Sequence, residues 1–369
     1  MTAKLVHMFW GKLLVPALLA GALAIFVSPV IQAQTVRDLP PPPPAWKAKP
    51  TPTPKPPEPE VLDVVKVTSN LVMVPVSVTN SQGQAIQGLK VGDFRLEEEG
   101  KQQEIAEIGD PEQIPLEIAL LLDVSGSTNT QFAFEKEAAA RFLKEVLKKD
   151  DRASLFMIDR VPVLKQVSTT AENAASKLLS FAPSADKGPT AFYDTVVKAS
   201  QYLQTTPSRH RRVVVVISDG ADNFSEIIKK TIGTTSAEQE SASPVVAARV
   251  NGRALTEVEK NLQQADAVFY SINPSGNTMY LNVITRRGQD GMQRLANSTG
   301  GNTFVPESDA DLGSVFSRIA AELRGQYLLQ YYANSESSPN QFRRIKVTVP
   351  ARTDVSVRAR QGFYPKKQD

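Results

Sequence analysis

The sequence predicts an α/β protein: a mostly parallel central sheet with helices on both faces, flanked by a small all-β platform built from N- and C-terminal strands. Three observations carry that prediction. Two uninterrupted apolar runs, Ile118–Leu122 and Val213–Ile217, are too hydrophobic to keep one face in water, which suits interior strands of a parallel sheet. From Leu116 onward strand-like and helix-like segments alternate, the mark of βαβ units. At either end the pattern becomes period-two alternation, with Val72, Val74, Val76 and Val78 before the alternating region and Ile345, Val347 and Val349 after it.

Residues 1–33 read as a signal peptide or N-terminal anchor. Lys4 and Lys12 precede a charge-free, mostly apolar stretch, Leu13–Ile31, and Gln32-Ala33 offers a small-residue cleavage site before Gln34. Nineteen residues are also enough to span a bilayer, so a retained anchor stays open. Either way the remainder is expected to be exported. Residues 34–60 form a proline-rich linker, with eleven prolines among the twenty residues from Pro40 to Pro59. In extended polyproline form that stretch would reach about 60 Å, a stiff spacer.

Residues 61–111 read as strands. Pro75 argues for an edge position. Phe94–Glu98 and Glu104–Ile108 flank Glu99-Gly100 and suggest a hairpin. Glu97-Glu98-Glu99 is expected to be a solvated strand end. In residues 112–325 helices are expected at Gln131–Lys149, Ala171–Ser180 and Ala191–Gln204, and strands at Arg152–Ile158, Val213–Ile217 and Ala267–Ile272. The last helix is the most regular: Leu312, Val315, Phe316, Ile319, Ala320 and Leu323 keep helical spacing, with Ser308 or Asp309 as cap and Gly325 as stop. Residues 326–365 return to strands. Arg343, Arg344, Lys346, Arg352, Arg358 and Arg360 make this end basic, which suits a solvated sheet face. Each β segment is too small to bury a core alone, so the two are expected to pair into one platform around the central domain.

The chemistry concentrates where strands end. The first apolar run stops at Asp123, followed by Val124-Ser125-Gly126-Ser127-Thr128; the second stops at Ser218-Asp219-Gly220. Between them, Gly188-Pro189-Thr190 leads into a helix. Loops at the carboxyl ends of parallel strands are where ligands bind, and these loops offer oxygen atoms, the donors that hard divalent cations prefer.

Asp123, Ser125, Ser127, Thr190 and Asp219 together resemble the metal-ion-dependent adhesion site of von Willebrand factor type A domains, in the same order along the chain. With the flanking Gly88–Lys101, Arg343–Val347 and Arg358–Tyr364, the chain resembles the von Willebrand A-related family abundant in acidobacteria over about Val61 to Pro365. The resemblance implies a Rossmann-like domain whose metal, Mg2+ with Mn2+ or Ca2+ as alternatives, is touched by Ser125, Ser127 and Thr190, with Asp123 and Asp219 acting directly or through water. It also implies a protein partner that presents an Asp or Glu carboxylate, and a C-terminal helix that slides on binding. Ser225–Arg253 and Ser275–Asp290 are longer than that family's usual connections and are expected to rim the site.

Composition narrows the alternatives. A net charge of +3, without an aromatic-rich basic motif, argues against nucleic acid as a partner. No cysteine means no disulfide and no zinc–thiolate site. Of two histidines one lies in the leader, and His210 sits in Arg209-His210-Arg211-Arg212 ahead of a strand, which argues against a Ser-His-Asp triad. The expectation is therefore an exported, non-enzymatic, metal-dependent adhesion or assembly protein, periplasmic, cell-surface or secreted. The alternative is a metal-dependent hydrolase or an accessory subunit of a membrane complex.

Overall fold

A computed structural model of the chain describes residues 71–124, 129–184, 188–232, 244–274, 283–308, 311–333 and 341–365. The described residues all belong to one unit, Val65–Asp369. The leader and the proline-rich linker lie outside them. Among the described residues no helix is long and apolar enough to cross a membrane.

The strands are β1 (Leu71–Thr79), β2 (Arg95–Glu98), β3 (Lys101–Gln103), β4 (Ile105–Gly109), β5 (Leu116–Asp123), β6 (Arg152–Ile158), β7 (Val163–Thr169), β8 (Arg211–Ile217), β9 (Ala267–Ile272), β10 (Thr303–Phe304), β11 (Tyr327–Tyr332), β12 (Arg343–Thr348), β13 (Ser356–Ala359) and β14 (Gly362–Phe363). The helices are α1 (Asn129–Val146), α2 (Ala171–Leu179), α3 (Phe192–Gln204), α4 (Glu226–Ile232), α5 (Pro244–Gln264), α6 (Val283–Thr299) and α7 (Leu312–Arg324).

The central sheet has the order β10-β9-β8-β5-β6-β7, parallel except for β7 at one edge. Its middle strand explains the unbroken apolar run. Leu116, Ile118, Leu120 and Leu122 of β5 point into one core, shared with Phe132 and Phe142 of α1, Leu178 of α2 and Phe316 of α7. Ala119 and Leu121 point into the other, shared with Phe192 of α3, Leu262 of α5 and Leu295 of α6. Successive side chains of a strand face opposite ways, so a strand covered on both sides must be apolar throughout.

Strands from both chain ends build two antiparallel sheets, β13-β1-β11-β4 and β14-β12-β2-β3, which pack around a third core. Val72, Val74, Val76 and Val78 meet Leu96, Tyr331, Ile345 and Val347 there, so the alternating residues of both ends bury one another. The shared platform is therefore a feature of the fold. α7 ends at Gly325 and the chain enters β11 two residues later.

Several local expectations need correction. β1 is an interior strand between β11 and β13. Pro75 is tolerated because β13 pairs only with Val76–Thr79, which leaves that side of Pro75 without a strand to bond. The Glu99-Gly100 hairpin closes on Lys101–Gln103; Ile105–Gly109 crosses to the other sheet. Glu99 and Gly100 both have positive φ, 49° and 76°, as a two-residue turn between twisted strands requires. Glu98 is not solvated: it is 1% exposed, with Arg343 Nε 2.8 Å away.

The cap of α7 is Asp311, whose carboxylate takes hydrogen bonds from the Ser308 amide and hydroxyl at 3.0 and 2.8 Å; Asp309 lies outside the described residues. Ser225–Arg253 is largely helical where described, forming α4 and the start of α5, and residues 283–290 of the other long connection begin α6. The basic C-terminal end does present a solvated face, with Arg344 and Lys346 of β12 exposed, and its arginines are ion-paired. Arg343 pairs with Glu98, Arg344 with Glu99, Arg352 with Asp354, Arg358 with Glu322 and Arg360 with Asp266.

Candidate metal centre at the carboxyl edge

β5 and β8 are paired neighbours, Leu122 opposite Ile217, so Asp123 and Asp219 leave the sheet side by side. A direct link joins the two strand ends: the Ser218 hydroxyl donates to Asp123 Oδ2 at 2.6 Å and accepts from the Gly220 amide at 3.0 Å. Asp219 Oδ1 accepts from the Ala221 amide at 2.9 Å, which closes a tight turn at Gly220, where φ is +75°. Glycine is required there twice over, since an added Cβ would lie 2.7 Å from the Gly288 carbonyl oxygen of α6.

Thr190 comes to the same edge by a network of its own. Its amide donates to Asn223 Oδ1 at 2.7 Å, and its carbonyl accepts from the amides of Asn223 and Phe224, each at 3.2 Å. The next residue, Ala191, donates its amide to the Asp159 carbonyl at 2.9 Å, just past the end of β6. The Thr190 turn is thus held between the loops that follow β6 and β8. Val124, next to Asp123, is fixed from both sides, donating to the Ile158 carbonyl and accepting from the Ser184 amide.

Of the five residues singled out in the sequence, the structure brings Asp123, Thr190 and Asp219 to one edge; Ser125 and Ser127 lie outside the described residues. Among the described residues no group of three or more His, Cys, Asp or Glu side chains could hold a metal. The donors here are a pair of carboxylates and a buried hydroxyl, all oxygen, which fit a hard divalent cation rather than zinc held by nitrogen or sulfur. His210 sits at the opposite end of β8, about 20 Å away along the strand, with Nδ1 3.4 Å from Glu117 Oε2.

Sequence reasoning missed the residues that support the set. Asp222 is half-buried and takes hydrogen bonds from the Ser225 hydroxyl at 2.5 Å and from the amides of Tyr193, Ser225 and Phe224 at 2.7, 3.0 and 3.2 Å. Burial pushes its carboxyl up to about 6, while those hydrogen bonds pull it back. Asp194 at the start of α3 returns the arrangement, accepting from the Glu226 and Ile227 amides of α4 at 2.6 and 3.1 Å. The first turns of α3 and α4 therefore cap each other, and the loop carrying Asp219 cannot move without the turn carrying Thr190. The short polar run Asp219-Gly220-Ala221-Asp222-Asn223 was the available signal; its partners were not, being about 30 residues away in the chain.

Residues 118–221 match the family model of the von Willebrand factor type A domain. The chain carries a von Willebrand factor type A domain. The matched segment opens in β5 and closes just after Asp219, so it contains all five candidate residues. Among solved structures, a von Willebrand factor type A protein from Catenulispora acidiphila is 11% identical, with 82% of this chain and 64% of that chain covered and a TM-score of 0.44. The minor pilin PilB of Streptococcus sanguinis is 15% identical over 58% of this chain and 62% of the pilin, TM-score 0.45. Proximal thread matrix protein 1 from the mussel byssus, with a zinc-occupied MIDAS motif, is 14% identical over 60% of this chain and 48% of its own, TM-score 0.40. No curated protein matches the chain.

Proposed function

We propose that this chain is an exported, non-enzymatic binding protein whose von Willebrand A domain captures a carboxylate of a partner protein. Asp123, Ser125, Ser127, Thr190 and Asp219 would hold one divalent cation, Mg2+ in the first instance, with Mn2+ or Ca2+ as alternatives. Held largely by neutral hydroxyls, such an ion keeps much of its positive charge and supplies the attraction for an Asp or Glu from outside. The observation that carries the reading is the convergence of Asp123, Asp219 and Thr190 from three chain segments onto one sheet edge, each tied by named hydrogen bonds.

The chain's own residues contribute orientation. Ser218 fixes one oxygen of Asp123, Asn223 fixes the Thr190 turn, and Asp222 locks the two loops into one body. A site set in advance loses less entropy when a ligand arrives. Among the described residues the one histidine, His210, stands at the other edge of the sheet, away from this set.

Calorimetric titration of Mg2+ and Mn2+ into the exported chain tests the site. Wild type should bind at or below millimolar concentration, Asp123→Ala should bind at least about tenfold more weakly, and Thr190→Ala should lose less because water replaces a hydroxyl. His210→Ala should bind as wild type does. No binding by wild type, or equal binding by Asp123→Ala, overturns the reading.

A further inference from the structure

The central sheet ends at β10, and that edge borders a cleft. Ser271 and Asn273 on the neighbouring strand donate their amides to the carbonyls of Asn302 and Phe304 at 3.1 and 2.9 Å. Successive residues of a strand turn their amide and carbonyl to opposite sides, so Thr303 and Val305 present theirs outward. Asn302 Oδ1 takes the Thr303 amide at 3.0 Å, whereas the amide and carbonyl of Val305 have no partner among the described residues. Such an edge is a template for another strand.

Beside it lies a cleft of about 480 Å3, between residues 302–307 and α7. Asp311, Ser314, Val315 and Arg318 line the helix side, at the i, i+3, i+4 and i+7 spacing of a single face. Phe304 and Val315, 5% and 6% exposed, form an apolar floor. The two ends differ in charge. Glu307 and Asp311 stand just past the end of β10; Arg318 stands two turns further along α7, its Cζ 5.0 Å from the Phe304 ring centroid. Asp311 accepts from the Ser308 amide and hydroxyl and keeps its negative charge. Neither Glu307 nor Arg318 has an ion pair among the described residues. Asp311 and Arg318 are separated by about 10 Å of helix, too far to form a pair with each other.

We propose that this cleft takes an extended segment of a partner protein as an added strand, antiparallel to β10. Antiparallel pairing is the more stable per residue, and it brings the start of the segment beside Glu307 and its end beside Arg318. The complementary segment therefore carries a basic, an apolar and an acidic residue at alternate positions, in that order. Alternate side chains face the same way about 7 Å apart, which seats the apolar one on Phe304 and Val315. β10 is two strands, about 10 Å, from β8, so the cleft is separate from the metal centre and does not depend on it.

The test uses the full chain and fluorescein-labelled Gly-Lys-Thr-Val-Thr-Asp-Gly, read by anisotropy in EDTA at low ionic strength. The first threonine of the peptide is opposite Val305 and turns its amide toward β10, whereas the valine amide points away. N-methylation of that threonine should weaken binding about tenfold and N-methylation of the valine should leave it in place, since only the first removes a ladder hydrogen bond. Exchanging the lysine and aspartate of the peptide should weaken binding about threefold, within the range for exposed ion pairs, and Arg318→Gln should narrow that difference. The cleft is refuted if the peptide does not bind in EDTA, if the two N-methylated peptides bind alike, or if the exchanged peptide binds as tightly as the original. Sedimentation equilibrium of the free chain adds a further outcome: a dimer that the peptide dissociates would make a second copy the occupant and overturn the partner segment. Because metal is absent throughout, failure of the metal reading leaves these results unchanged.

Discussion

Asp123 and Ser218 are 95 residues apart in the chain and 2.6 Å apart in space, and that single contact ties the two strand ends of the candidate centre. Asp222 is its counterpart on the other side, and its environment sets a pH dependence. The folded pKa of about 6 lies above the ordinary 3.8, so between those values the folded chain holds a proton that the unfolded chain has released. Stability from this group is therefore greatest near pH 4, falls as pH rises to about 6 and stays low above it, by on the order of 3 kcal/mol. Urea denaturation from pH 4 to 8 should show this slope in wild type and not in Asp222→Asn. A parallel pair of curves would mean that Asp222 does not titrate in that window. Asp123 and Thr190 were legible because residue type and order along the chain marked them. Ser218 and Asp222 were not, because serine and aspartate after a strand look alike whether they point to water or to a distant partner.

At the scale of elements, the candidate centre depends on how closely α6 approaches the loop after β8. An added Cβ on Gly288 would stand 2.4 and 2.5 Å from the carbonyl carbon and oxygen of Gly220, backbone atoms that cannot swing aside. Gly288→Ala should destabilise the chain by about 1–3 kcal/mol, as other overpacked sites do, and weaken Mg2+ binding by displacing Asp219. Gly252→Ala is the matched control: it lies in α5 with nothing within 4 Å of its Cβ position, so the gain in helix propensity should stabilise by up to about 1 kcal/mol. Thermal melts and Mg2+ titrations of both variants decide the point; equal behaviour would remove α6 from any role in shaping the loop. Helical periodicity located α3 and α7 from the sequence to within a residue or two. It found neither α4 nor α5, because the residues from Ser225 to Arg253 carry few large apolar side chains, and helices there are secured by packing against α3 and each other.

Across the whole molecule, the platform is a joint product of both chain ends. Among the described strands β1 pairs with β11 and β13, and β2 is held between β12 and β3. Deleting residues 326–365 should therefore leave 71–110 unable to close its core, while the central sheet keeps both of its own. Limited proteolysis of that truncated chain should cut within 71–110 and spare 116–324; protection of 71–110 would show that the N-terminal strands fold unaided. Four strands of the central sheet, β5, β6, β8 and β9, and the flanking β segments were determined by the sequence itself, since apolar periodicity is a local property, and the order of oxygen-bearing residues nominated the candidate ligand set. Only the tertiary structure decided where Pro75 could sit, that Glu98 is buried against Arg343, and that Arg358 and Glu322 join the platform to α7 at 2.7 Å. A charge in a sequence has a sign but no partner. Burial and pairing are properties of segments that meet after folding, and here the meeting residues come from opposite ends of the chain.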